Sequence, residues 1–197
     1  MSGLRELLDG SSLEVAPRLL GAVIRHGAVS VRLTEVEAYA GEQDPGSHAF
    51  NGPTPRNQVM FGPSGHLYCY FVYGMHVCAN VVVGPPGDPA AVLLRAGEVV
   101  DGHQAALQNR PGARHHDLAR GPARLCRALG IGLQHNGCDL QAGPILLEVG
   151  ERHPDSAIAS GPRVGLRRAP DRPWRFWLDG HPSVSAYRPA APLKGPS

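Results

Sequence analysis

Glu37, Tyr39, His48, Tyr68, Tyr70 and Tyr73 fall in one stretch, Val36 to Asn80, reading VEAYAGEQDPGSHAFNGPTPRNQVMFGPSGHLYCYFVYGMHVCAN. The stretch sets a carboxylate, Glu37, at the end of a strand-like run and follows it with flat polar rings. Aromatic residues make up only 6% of the chain, yet four of its five tyrosines lie here, so the clustering is informative. A carboxylate facing stackable rings suits a pocket for a flat polar ligand, and a nucleobase is the commonest such ligand.

Two elements must position these groups. From Val29 to Tyr39 the chain reads VSVRLTEVEAY. Val29, Val31 and Leu33 share one parity, and Glu35, Glu37 and Tyr39 continue it. A regular strand would turn Glu37 to the apolar side, where a carboxylate is costly unless hydrogen-bonded or used. The alternative is a strand ending near Thr34 with both glutamates solvated. Next, Gly65 to Val72 and Met75 to Val83 read as a hairpin turning at Tyr73-Gly74, which pairs Cys69 with Cys78 and Leu67 with Asn80. Tyr73 and Met75 then stand at the tip. They either fold back on the protein or act as a wedge of the kind that opens a base step.

VEAYAG, His48, TPRN (Thr54 to Asn57), YGMHVCAN and VLLRA (Val92 to Ala96) together resemble the alkyladenine, or methylpurine, DNA glycosylases. The resemblance spans nearly the whole chain, through RGPARLCRALGI (Arg120 to Ile131) and GPRVG (Gly161 to Gly165) to HPSVS (His181 to Ser185). It implies that Glu37 is the general base that activates water, with Arg95 as a helper beside it. Tyr39, His48 and Tyr70 become walls of the base pocket, Tyr68 a supporting ring, and Asn80 the screen against guanine's exocyclic amine. Tyr73 becomes the intercalating residue, with Met75 beside it. His76 departs from the pattern, standing where members of the family can carry tyrosine. The implied activity is monofunctional: alkylated purines, and deaminated ones with them, are flipped out of double-stranded DNA and hydrolysed from the sugar, which starts base excision repair. The implied fold is one domain around a curved antiparallel sheet.

Composition narrows the choices. Lys194 is the only lysine among 19 basic residues and lies in the Pro/Ala-rich end RPAAPLKGPS. A glycosylase that also cuts the backbone needs an amine nucleophile, so water is the expected nucleophile. Cys69, Cys78, Cys126 and Cys138 form no C-x-x-C pair. They are expected as free thiols, and neither they nor His115-His116 predict a metal site or any cofactor. Net charge is only +2, but arginines cluster at Arg114 to Arg127 and Arg163 to Arg175. Arg56, Arg120, Arg124 and Arg163 are the candidate phosphate contacts, alternatives to simply solvated faces. No apolar run is long enough for a membrane, and MSGLRELLDG lacks a signal pattern. A cytoplasmic, nucleoid-associated bacterial monomer is expected. Two other readings remain open: a non-enzymatic module that binds damaged bases, and a metal-dependent hydrolase using the histidines.

The fold class expected is α+β: a single compact domain over 1–188, with a curved antiparallel sheet, a protruding β-hairpin and flanking helices, and a disordered tail over 189–197. Helices are predicted near Leu13 to Leu20, Gly102 to Asn109 and Ala123 to Leu129. Strands are predicted at Val23 to Glu37, Leu67 to Val83 (as the hairpin), Val92 to Arg95, Ile145 to Val149 and Arg175 to Leu178. Adjacent strands without alternating helices favour antiparallel pairing.

Overall fold

The computed structural model describes residues 2–72 and 74–191. Its elements run α1 (Ser2–Leu8), α2 (Ser12–Arg18), β1 (Val23–His26), β2 (Val29–Ala40), β3 (Leu67–Val72), β4 (His76–Val83), β5 (Ala90–Asp101), α3 (His103–Asn109), β6 (Ala119–Arg120), α4 (Pro122–Leu129), β7 (Ile145–Glu148), β8 (Ile158–Gly161) and β9 (Arg175–Leu178). The nine strands seen among the described residues form one antiparallel sheet in the order β3-β4-β5-β2-β1-β7. β6 is added on β5, and β9, carrying β8, is added on β2. The α+β class and the flanking helices are as expected.

The helices carry local signals. Ser11 caps α2 in a reciprocal box with Glu14, satisfying amide groups that a helix start leaves free. Pro122 occupies the first turn of α4, and Gly130 (φ 69°) closes it in the left-handed region, the asymmetry expected of helix ends. Both helices bury Val15, Ala16, Leu125, Cys126, Ala128 and Leu129 against Leu33, Val36, Ala38, Val92 and Leu94 on one face of the sheet.

Three sequence expectations are corrected. The strand predicted from Val23 to Glu37 is two strands, folded at Gly27-Ala28 with Gly27 at φ 56° and His26 opposite Val29.

β2 is also irregular. Its pairing with β5 shifts between Leu33 and Glu35 and again between Glu35 and Val36. The first inserts Thr34 into β2 and changes which of its faces follows; at the second the extra residue, Arg95, lies in β5. Val29, Val31 and Leu33 therefore lie in the main core together with Val36 and Ala38, and Glu35, Glu37 and Tyr39 turn to the opposite face. Gly97 faces Leu33 at this point; a Cβ there would sit 2.4 Å from the Arg32 carbonyl oxygen.

The hairpin register also differs by one residue. Tyr68 opposes Asn80, Cys69 opposes Ala79, Tyr70 opposes Cys78 and Val72 opposes His76. The turn spans three residues rather than two, and a one-residue slip exchanges faces. Leu67, Cys69, Ala79 and Val81 enter the main core. Tyr68, Tyr70, Cys78 and Asn80 share the other face with Glu37.

Candidate active site

That second face of the sheet is the floor of a cavity of about 570 Å³. Glu37 lies at its base, fully buried and paired through the backbone with Leu93 of β5 and Arg175 of β9. Its Oε1 accepts from the Val164 amide at 2.7 Å and faces Arg95 Nη1 at 3.3 Å; its Oε2 accepts from the Tyr39 hydroxyl at 2.8 Å. Burying a carboxylate costs several kcal/mol, on the order of the loss of a few hydrogen bonds, unless donors or an opposite charge replace water; here two donors and the Arg95 guanidinium do. Arg95, on β5, is itself buried and donates from Nε to Glu35 Oε1 at 2.8 Å. Burial, then the Glu37 charge, push the Tyr39 phenol well above its ordinary range, so the group stays a donor.

The walls are the predicted rings. Tyr68 and Tyr70 stack with centroids 5.5 Å apart and planes 23° from parallel. His48 meets Tyr70 edge-on at 4.5 Å and 80°, and its Nδ1 lies 3.1 Å from the Tyr68 hydroxyl. His48 stands at the rim, solvent-exposed on one side. Desolvation of its inner side, aided by the Arg56 charge, lowers its pKa from the ordinary value, which keeps the ring neutral at pH 7. Arg56 lines the mouth, donating to the Phe71 carbonyl at 2.8 Å with its guanidinium 5.8 Å from the Tyr70 ring centre. Asn80 is buried on the floor, its Nδ2 donating to the Tyr68 carbonyl at 3.3 Å. Cys78 also lines the cavity, with its thiol pushed up to about 11 by burial.

A model of the family described as methylpurine-DNA glycosylase (MPG) matches residues 6–182. The chain belongs to this family. A relative from Leifsonia xyli subsp. xyli is 55% identical, the alignment covering 93% of this chain and 92% of the relative. One from Nocardia farcinica is 56% identical over 90% and 88%, and one from Mycobacterium sp. (strain KMS) 50% identical over 98% of each. All three bear the name "Putative 3-methyladenine DNA glycosylase".

As a methylpurine-DNA glycosylase family member, the chain gathers Glu37, Tyr39, His48, Arg56, Tyr68, Tyr70, Asn80 and Arg95 around one cavity. The remaining site expectations divide. Tyr73, the expected wedge, lies outside the described residues. Its neighbour Met75 is 76% exposed at the hairpin tip, an uncompensated exposure for so apolar a side chain. Arg124 is exposed near Asp117, and Arg120 donates from Nε to the Val184 carbonyl at 2.8 Å.

Arg163 is corrected. It is 1% exposed, bonded through both Nη atoms to buried Asp44, with Nη2 at 2.7 Å from Oδ1. Its guanidinium lies between Tyr39 and Trp174, 4.6 and 5.0 Å from their ring centres. It braces a pocket wall from behind and presents nothing to a phosphate.

The reading of the sequence missed Asp44, the Val164 amide and Ser185, and left Glu35 undecided between a buried and a solvated role. Only Glu35 carried a local signal, its parity with Glu37.

Proposed function

We propose that this chain removes alkylated purines from double-stranded DNA, taking the damaged nucleotide into the ring-lined cavity and hydrolysing its N-glycosidic bond with water activated by Glu37. The observation that carries the reading is a buried carboxylate, held by two hydrogen-bond donors and the Arg95 charge, at the floor of a cavity walled by Tyr39, His48 and Tyr70.

A purine in a duplex is unreachable until rotated out, at a cost of roughly a few kcal/mol. A side chain inserted from the hairpin tip offsets part of that cost, and Tyr73 with exposed Met75 fills this role. Many alkylated purines carry positive charge. The faces of Tyr39 and Tyr70 attract a cation, and a neutral His48 does not repel it.

Bond cleavage gives the sugar oxocarbenium character, as in glycoside hydrolysis. Glu37 Oε1 already accepts from Val164 and faces Arg95, whereas among the described residues Oε2 accepts only from Tyr39. A carboxylate oxygen has two lone pairs, so the second on Oε2 takes the proton of the attacking water. The ionised carboxylate also stabilises the sugar cation. An alkylated purine that is already cationic leaves without an acid, which fits a site built around one carboxylate of this kind.

Asn80 is the selectivity filter. Its amide is held by the Tyr68 carbonyl, so it cannot turn aside for guanine's 2-amino group. Asn80→Ser shortens the side chain and is expected to narrow the preference for hypoxanthine over mispaired guanine by about tenfold, the usual scale for one mismatched contact. Excision rates on both substrates measure it, and an unchanged ratio makes Asn80 a structural strand residue only.

Water as nucleophile is tested by borohydride during turnover on lesion duplex. The expected product is an intact strand with an abasic site and no trapped protein. A covalent adduct that persists in Lys194→Ala and does not map to the N-terminal amine excludes the hydrolytic route.

A further inference from the structure

Glu35 is fully buried two residues before Glu37 on the same strand, and activation of one water needs only one of them. Its partners explain it. Oε1 accepts from Arg95 Nε at 2.8 Å and from the Ser185 hydroxyl at 2.9 Å, and Oε2 accepts from the Ser185 amide at 2.7 Å. Arg175 adds a second positive charge, Nε lying 3.4 Å from Oε1. The Ser185 hydroxyl in turn accepts from Arg95 Nη2 at 3.2 Å. Arg95 thus has Nε on Glu35, Nη2 on Ser185 and Nη1 toward Glu37. A planar guanidinium held at two nitrogens has no rotation left for the third.

Ser185 belongs to HPSVS, which follows β9 and is tied across the domain. The Ser183 hydroxyl pairs with that of Thr34 at 2.8 Å, the Val184 carbonyl accepts from Arg120, and the Arg188 carbonyl accepts from the Gly165 amide at 3.0 Å. Gly165 directly follows Val164, whose amide bonds Glu37. One C-terminal segment therefore braces both neighbours that hold Glu37 Oε1.

We infer that Ser185 and Glu35 are positioning residues for the hydrolysis proposed above, locking the Arg95 guanidinium so that Nη1 faces the Glu37 carboxylate. The inference rests on that reading of Glu37. Neither residue lines the cavity, so both act through Arg95 rather than on the DNA.

The test is a double-mutant cycle read by single-turnover base release, with affinity measured separately on a duplex carrying a stable abasic-site analogue. Ser185→Ala removes a hydroxyl shared by two charged groups and is expected to slow release about 10–100-fold, the rate equivalent of one charge-assisted hydrogen bond. Affinity for the analogue stays within about twofold, and Ser185→Thr, which keeps the hydroxyl, restores most of the rate. In an Arg95→Ala background, Ser185→Ala changes the rate by less than about twofold, because coupled residues are not additive. An active wild type with an unimpaired Ser185→Ala variant overturns the inference alone, as does an equal slowing in both backgrounds, which marks a general structural role. A wild-type chain that releases no alkylated purine removes the parent reading and this inference with it.

Discussion

Glu37→Gln eliminates base excision while lesion-containing duplex is still bound. The amide has the shape of the carboxylate. Its carbonyl can accept from the Val164 amide where Oε1 does now, and its NH₂ can donate to the Tyr39 hydroxyl oxygen, so the pocket keeps its form. What disappears is the lone pair and charge that take up a water proton. Removing a general base costs about 10²–10⁴ in rate, and losing the stabilising charge beside the sugar cation deepens the loss. Single-turnover release measures the rate and retardation of lesion duplex measures the binding. A variant with close to the wild-type rate assigns the chemistry to another group; one that fails to bind shows Glu37 to be structural.

Asp44→Ala carries the largest expected loss of stability. Asp44 is fully buried and accepts from both Nη atoms of Arg163 and from the Gly46 amide at 3.0 Å. Without it, the Arg163 guanidinium stays in a dry site between Tyr39 and Trp174, its one remaining hydrogen bond among the described residues being to the Ala38 carbonyl at 3.0 Å. Breaking a buried pair by deleting one partner costs about 3–5 kcal/mol. Urea unfolding should show the midpoint falling with the slope unchanged. Excision should fall as well, since Tyr39 loses its backing and with it the fixed donor to Glu37. A loss below about 1 kcal/mol, the range of exposed pairs, would mean that Asp44 and Arg163 do not form this buried pair in solution.

The ring cluster was legible in the sequence because strand side chains alternate. Tyr68 and Tyr70, Cys78 and Asn80, and Glu37 and Tyr39 each share a parity, and the family resemblance supplied their roles. Helix α4 was legible from its proline and glycine. The irregular backbone was not. The extra residue at Thr34 in β2 decides that Glu37 leaves the core face, and nothing in LTEVE marks it. The three-residue turn after Val72 is equally silent, and one residue there takes Cys78 off the face that Cys69 presents to the core. The arginine cluster from Arg163 to Arg175 was misread for a different reason. Arg163 and Arg175 are buried on Asp44 and Glu35, carboxylates more than a hundred positions away in the chain. Arg172 sits over Trp174, 4.4 Å from its ring centre. A local count of charge sees neither partner. The same distance in sequence concealed Ser185, whose bonds to Glu35 exist only once the C-terminal segment returns across the sheet.

The central claim, that this cavity serves hydrolytic excision of alkylated purines, is tested most directly by incubating the wild-type chain in molar excess with a duplex carrying one N-methylated purine and quantifying the free base. The account predicts release of the methylated purine in proportion to lesion, an intact strand holding an abasic site, and retention of the unmodified purines beside it. Tight binding of the lesion with no base released, or equal release of unmodified purines, would contradict it.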